Sequence, residues 1–459
     1  MAEDKIKELN LDELRNAVER GASAIRCVTR LGAVGGTGDK VFPPTYAGGV
    51  YAVEDRRIDG KVVRCVLLDS VQSQANRMEE VLQDAYLPNW REMPTDGEDP
   101  ECNLPVVAVY IQNHGWVTSL TAPHRIHDAI LRDSNLNGTQ FRDSEMGRAM
   151  VKARVWDATA FYRYCPTVLL FGTWDSTAGE GLDSAKIPRA VVSEIIGVDV
   201  TVGVRTGSRI DPLGIKAQAA TIYRRTDGGW ALQDENGRWV GAGNDDIGKD
   251  KDGNPKKFGK GKPSDINHGN VTPDLARFGD RREVQKQHLD RLPDILRDDS
   301  VFIEAHGVKP GGVTMDYALH TWTLSLTQLR RLRFPVGGNH DEERNQATRT
   351  VLASLALYAL ALQQERGYWL RSRCELILAE GFTLDIVGGA NGYALGTPER
   401  VRQELFEPAY EAATLSWEQR VIRLTPIEQL TELVRRSDQR QPEDTPEITE
   451  ETADAGDQG

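Results

Sequence analysis

The residue types best suited to chemistry in this chain cluster in residues 66–77, Val-Leu-Leu-Asp-Ser-Val-Gln-Ser-Gln-Ala-Asn-Arg. An apolar strand ends at Asp69, Ser70 is placed to cap a helix, and Val71, Ala75, Met78 and Leu82 recur at helical spacing. Gln72 and Asn76 are four apart on one flank, and Ser73 and Arg77 are four apart on another. Solvated helix faces ordinarily carry Glu and Lys. A first turn of neutral hydrogen-bonding groups with one Arg, beside free backbone N–H groups, suits a polyanion such as a nucleic-acid backbone. The alternative is a capped surface helix with no ligand.

Other candidate groups are scattered. Gly32–Lys40 superficially resembles a phosphate loop, but Gly38 is followed by Asp39, Lys40 and Val41 and lacks the Gly-Lys-Ser/Thr ending. A glycine-rich loop that offers N–H groups and Lys40 to phosphates is the better reading. His124-Arg125-Ile126-His127-Asp128 permits a metal reading, yet no second His/Asp cluster completes it. Pro123 opening a helix would instead aim His124 and Arg125 at an anion. Arg209, in Ser208-Arg209-Ile210-Asp211-Pro212, sits in a turn where it can clamp a phosphate. Arg330 and Arg333 are three apart, next to Arg331, and predict a basic helical stripe. Gly-x-Ser-x-Gly and Ser-x-x-Lys are both absent, and Asp175, Ser176, Glu180 and Asp183 lie in a glycine-bearing loop where carboxylates are most often turn formers.

The elements that must position these groups read as follows. Asn10 and Glu13 form a capping-box start for a helix to about Arg26, and residues 31–47 read as a long loop. Strands are expected near 48–54 and 61–68, joined at Asp59-Gly60. The Ser70 helix, a strand near 104–111, helices near 123–132 and 145–164, and strands near 166–171 and 189–197 follow. Residues 224–297 turn rich in Gly, Asp, Asn and Lys, with six of the 15 lysines between Lys249 and Lys262, and read as a mobile insertion. Regular structure resumes with a strand at 312–324, a Ser325-capped short helix, a long helix over 341–366, strands near 374–387 and helices near 398–415 and 426–437. Strands alternating with helices predict an α+β fold.

The bulk numbers narrow the function class. At 459 residues and 39% hydrophobic content the chain can bury a large core. Neither a signal-peptide apolar region nor a run of about 18 apolar residues is present, so no membrane partner and a cytoplasmic location are expected. Five scattered cysteines without a Cys-x-x-Cys argue against a disulfide framework and a structural zinc site. The net charge of −13 is concentrated: residues 441–459 hold seven acids and no base, so they account for more than half of it and read as a disordered acidic tail. The remaining bases are mostly arginine, 41 against 15 lysines, which favours planar bidentate phosphate contacts.

Several segments together resemble one family. They are residues 38–46 (Gly-Asp-Lys-Val-Phe-Pro-Pro-Thr-Tyr), 67–79, 120–134 (Leu-Thr-Ala-Pro-His-Arg-Ile-His-Asp-Ala-Ile-Leu-Arg-Asp-Ser), 171–177 (Phe-Gly-Thr-Trp-Asp-Ser-Thr), 208–215, 267–271 and 329–335. From about residue 9 to 436 the chain resembles the RAMP-superfamily backbone subunit, the "seventh Cas" family, of type I-G (formerly I-U) CRISPR Cascade complexes. That resemblance implies a modified RRM/ferredoxin-like palm with large finger and thumb insertions. Its blocks would be a first palm part at 1–225, a flexible insertion at 226–300, completion of the palm at 301–440, and the tail at 441–459. It also implies a non-catalytic subunit, without metal or cofactor, that polymerises along CRISPR RNA in antiviral defence. Its partners would be CRISPR RNA, target DNA paired with the guide, further copies of itself, other Cascade subunits and a recruited helicase-nuclease. The RNA-contact residues expected on this basis are Lys40, Gln72, Ser73, Gln74, Asn76, Arg77, His124, Arg125 and Arg209, then Arg330, Arg331 and Arg333. The competing reading within the superfamily is a metal-dependent endoribonuclease that cleaves target RNA with an acid from the Asp175–Asp183 loop.

Overall fold

A computed structural model describes residues 7–46, 49–97, 101–175, 186–209, 212–216, 218–266, 271–275, 310–379 and 381–439. The chain packs as two units: Met1–Asp39 with Leu67–Val198 and Asp316–Gly459, and Lys40–Val66 with Asp199–Met315. The acidic tail at 441–459 lies outside the described residues.

In the first unit, helix α1 (Leu11–Glu19) starts from the expected capping box, with Asn10 accepting from the Glu13 N–H. It stops at Glu19, short of the expected Arg26, because Arg20 turns extended and Gly21 takes a φ of 75°. Strand β1 (Ala24–Ala33) then occupies residues read partly as helix and partly as loop. The hairpin strands β2 (Val53–Ile58) and β3 (Lys61–Asp69), which belong to the second unit up to Val66, turn through Asp59 and Gly60, whose φ values of 49° and 80° suit a tight two-residue connection. Helix α2 (Val71–Tyr86) follows, capped by Ser70, whose hydroxyl accepts from the Ser73 N–H.

Strand β4 (Val191–Val198), strand β5 (Tyr317–Ser325), helix α3 (Leu326–Arg331), helix α4 (Glu342–Arg366) and strands β6 (Tyr368–Arg371), β7 (Cys374–Leu378) and β8 (Thr383–Val387) complete the main layer pair. β5 runs antiparallel to both β1 and β4, and β1 is antiparallel to β7 and β8 on its other side. The path β1–α2–β4–β5–α4–β7 is therefore a β-α-β-β-α-β course with an antiparallel sheet, a mixed architecture of the expected α+β kind. Ile25, Cys27, Val191, Trp322 and Leu324 of the sheet share one core with Ala75, Met78 and Leu82 of α2 and the apolar residues of α4. Each fully buried Leu or Met in that core contributes roughly 2 kcal/mol.

One expectation is corrected. Residues 166–171 hold a short helix, Val168–Phe171, where a strand was expected; all four side chains are buried, and a run buried on every side carries no period to tell the two apart. Residues 222–266 carry short strands in the second unit, within a stretch whose composition predicts a mobile insertion. Ile222–Arg224, Trp230–Gln233 and Trp239–Val240 form an antiparallel three-stranded sheet around Ile222, Ala231 and Ile247. No described helix is long and apolar enough to cross a membrane.

Candidate nucleic-acid interface

The polar start of α2 holds an anion, and that anion is the chain's own Asp69. Asp69 ends β3 with no exposed surface. It accepts from the Ser73 hydroxyl at 2.8 Å, the Gln74 amide at 2.6 Å, the Arg77 Nε at 2.9 Å and the Arg371 Nη2 at 3.3 Å. Arg77 also donates to the Leu370 carbonyl at 2.6 Å. Gln74 has no exposed surface either; its carbonyl oxygen accepts from Ser193 at 2.8 Å and from Gln363 at 2.9 Å. As an RNA contact Gln74 is therefore corrected, since no atom of it reaches solvent. Ser73 and Arg77 are half-buried and turned to Asp69, which leaves Gln72 and Asn76 as the exposed polar residues of this turn.

Behind Gln74 a hydrogen-bond chain runs into the core. The His320 Nε2 lies 2.9 Å from the Ser193 hydroxyl, and the Tyr368 hydroxyl lies 3.3 Å from its Nδ1. Because Ser193 donates to Gln74, the imidazole N–H belongs on Nε2 and Nδ1 accepts from Tyr368. Burial pulls the His320 pKa down to about 4, against the opposing pull of Asp69, so the ring is neutral. This polar chain links the sheet residues Ser193 and His320 to Gln74 of α2 and Gln363 of α4.

The His124–Asp128 segment turns inward as well. Arg125 adopts a left-handed φ of 54°, is 8% exposed, and grips Glu79 with two bonds of 2.6 and 2.8 Å. Burial pushes the Glu79 carboxyl up to about 7 while the Arg125 guanidinium opposes the rise. Pro123 does not open a helix that aims Arg125 at an external anion; that expectation is corrected by this internal pair. His124 is exposed, and its backbone N–H donates to Asp128. His127 points the other way, with Nδ1 2.9 Å from the Thr173 hydroxyl and its ring edge-on to Phe161. Burial lowers its pKa to about 4. Among the described residues no three His, Cys, Asp or Glu side chains converge as metal ligands. Asp175 is 2% exposed and paired with Arg142 at 2.7 Å. Ser176, Glu180 and Asp183 lie outside the described residues.

The expected stripe at 330–333 does not form, because α3 ends at Arg331 and Leu332 is extended. Arg330 donates to the Ala17, Val18 and Ala22 carbonyls at 2.6–2.8 Å and so closes the C-terminus of α1. Arg333 donates to the carbonyls of Arg330 and Leu332, and Arg331 alone of the three is exposed. In the second unit Lys40 is half-buried with its ammonium against Gly203, where a Cβ would come within 2.9 Å of it. Arg209 ends the strand Thr206–Arg209, and its side chain lies outside the described residues. Among the described side chains of the expected set, only Ser73, Gln74 and Arg77 converge at a common point, and that point is Asp69.

The sequence reading missed the uncovered face of the main sheet. Along β1, Ile25, Cys27, Thr29 and Leu31 are buried, whereas Arg26, Val28 and Arg30 face solvent. Arg26 stands beside Thr323 and Asp385, Val28 beside Thr321, and Arg30 beside Leu319. The Arg26 guanidinium lies 3.4 Å from Asp385, and that of Arg30 lies over the Tyr317 ring at 4.4 Å. Val192 and Glu194 of β4 continue these rows beyond Thr323 and Thr321. The signal was present only in part, as the alternation Ile25-Arg26-Cys27 that Val28 and Thr29 then break. It was obscured by extending α1 to Arg26 and the glycine loop back to Leu31. Two arginines, an aromatic ring and threonines on one open sheet face are groups that can hold a sugar-phosphate chain.

A family model described as "CRISPR-associated protein GSU0053" matches residues 25–202. Those residues are similar to that CRISPR-associated family. The matched span contains β1, the Asp69–Arg77 clamp, the Arg125–Glu79 pair and β4. A crystal structure of Thermofilum pendens Csc2 aligns with 92% of this chain and 79% of its own, at 11% identity and a TM-score of 0.26, too distant a likeness to carry any argument. No curated protein matches the sequence.

Proposed function

We propose that this chain is a CRISPR RNA-binding backbone subunit of a type I-G Cascade complex, without catalytic activity of its own. In this reading β1–α2–β4–β5–α4–β7 is the RAMP palm. The observation that carries it is the match of residues 25–202 to a CRISPR-associated family, a span that holds β1, α2 and β4 of that course. Arg26 and Arg30 would hold RNA phosphates, Tyr317 would offer a ring for stacking, and Gln72, Asn76 and His124 remain as outer polar contacts. Base pairing would supply sequence specificity, and the protein would recognise backbone and shape, a division known for another CRISPR effector class. Further copies, other Cascade subunits and a helicase-nuclease would assemble around the RNA, with target DNA reached through the guide.

Mobility-shift titration of the purified chain on CRISPR RNA across a salt series tests the proposal. Tight binding whose logarithm falls linearly with log salt is the expected result. Binding no stronger than that of an unrelated acidic protein rejects it. Incubating an assembled complex with complementary RNA and magnesium separates this reading from an endoribonuclease, because cleavage would give regularly spaced fragments.

A further inference from the structure

We propose that the lysine-bearing edge of the small sheet in the second unit, residues 253–262, is a separate contact for a nucleic-acid phosphate backbone. The segment Gly-Asn-Pro-Lys-Lys-Phe-Gly-Lys-Gly-Lys holds four lysines and no acid in ten residues, in a chain whose net charge is −13. It is held in place against the strand Ile222–Arg224. Arg224 N–H donates to the Lys256 carbonyl at 2.8 Å, Phe258 N–H to the Ile222 carbonyl at 2.9 Å, and Ile222 N–H to the Gly261 carbonyl at 3.0 Å. Lys257 pairs antiparallel with Tyr223, and the Arg224 guanidinium lies 5.4 Å from the Phe258 ring centroid.

The acids of this module and its lysines are used differently. Asp227, Asp234, Asp246, Asp250 and Asp265 each accept from backbone N–H groups and shape the turns. The side chains of Lys256, Lys257, Lys260 and Lys262 are exposed, and none forms an ion pair among the described residues. Gly259 and Gly261 take φ values of 50° and 73°, so the chain turns tightly between Phe258 and Lys262 and keeps the four lysines on one short stretch of backbone. Compact point charges on flexible stems, set on a pinned backbone, suit phosphates without reading bases. Both a guide RNA and a DNA duplex present that chemistry. The inference rests on a nucleic-acid-binding role for the chain but concerns a different surface from the open sheet face.

The test replaces Lys256, Lys257, Lys260 and Lys262 together by Gln, which keeps the side-chain length and removes the charge. Wild type and variant are titrated in the full-length chain against CRISPR RNA and against a mixed-sequence DNA duplex, from low to moderate salt. The expected result is at least a tenfold loss of affinity, with the log–log salt slope reduced by about 3 on the occupant. A loss confined to the duplex identifies DNA as the occupant, and one confined to the RNA identifies the guide; either supports the site. A second variant with all four lysines replaced by Arg should keep the wild-type slope. Equal affinities and slopes for wild type and the Gln variant on both ligands would overturn this site alone. A wild-type chain that binds neither ligand overturns the proposed function with it.

Discussion

The Arg77 guanidinium donates to the Asp69 carboxylate at 2.9 Å, and Asp69 has no exposed surface. The first turn of α2 thus resembles an anion site because it is one, already filled from the end of the preceding strand. Replacing Asp69 by Ala leaves Arg77 and Arg371 as cations without their shared acceptor, and breaking one side of such a buried pair costs about 3 kcal/mol or more. Urea unfolding of Asp69→Ala should show that loss. An unchanged midpoint would mean that the cluster is unnecessary to the fold. Gln72→Ala, at an exposed position of the same turn, should stay within about 0.5 kcal/mol of wild type.

Arg330 and Arg331 separate structural from surface arginines one residue apart. Arg330→Ala removes three hydrogen bonds to the end of α1 and should destabilise the chain by about 2–3 kcal/mol. Arg331→Ala should be neutral to within about 0.5 kcal/mol, because among the described residues its only side-chain bond is a 3.3 Å contact with Gln328. Thermal or denaturant midpoints decide it, and equal losses would contradict the capping role.

These pairs show what was legible in the sequence. The capping residues Asn10, Ser70 and Ser325, the helix over 342–366 and the Asp59-Gly60 turn were readable because each is specified by local backbone chemistry. The fate of a polar side chain was not. Gln74, Arg125 and Arg330 have the composition of ligand-binding groups, and only tertiary contacts with Asp69, Glu79 and the carbonyls of α1 show that their partners are internal. The open sheet face was legible only in part: the alternation Ile25-Arg26-Cys27 breaks at Val28 and Thr29, and its neighbours Thr321, Thr323 and Asp385 arrive from some 300 residues away.

His320 makes stability depend on pH in a defined direction. Its folded pKa is lowered to about 4 from an ordinary value of 6.5, so the unfolded chain takes up a proton first. Its contribution is constant above pH 6.5 and is lost progressively as pH falls toward 4, by on the order of 3 kcal/mol at the limit. His127, lowered to the same value, adds in the same sense. Unfolding free energies measured between pH 7 and 4.5 should fall more steeply in wild type than in His320→Gln. Parallel curves would remove His320 as a source of the acid sensitivity.

The open sheet face carries the most direct prediction for function. Arg26 and Arg30 stand on β1 four residues apart, on the same face, about 13 Å along an extended strand, which spans roughly two nucleotides of an extended backbone. A double Arg26→Ala, Arg30→Ala variant should bind CRISPR RNA about tenfold more weakly near 0.1 M salt. Its log–log salt slope should fall by about 1.4, the share of two phosphate contacts on a single strand. The Arg26 change should cost little stability, because Arg26 is half-exposed and its Asp385 contact is 3.4 Å long. Gln74→Leu supplies the opposite case: it should lower the unfolding midpoint and leave the salt slope of the folded protein unchanged. If the double variant keeps full affinity and slope while the wild type binds tightly, the RNA lies elsewhere on the chain and the sheet face is left without a role.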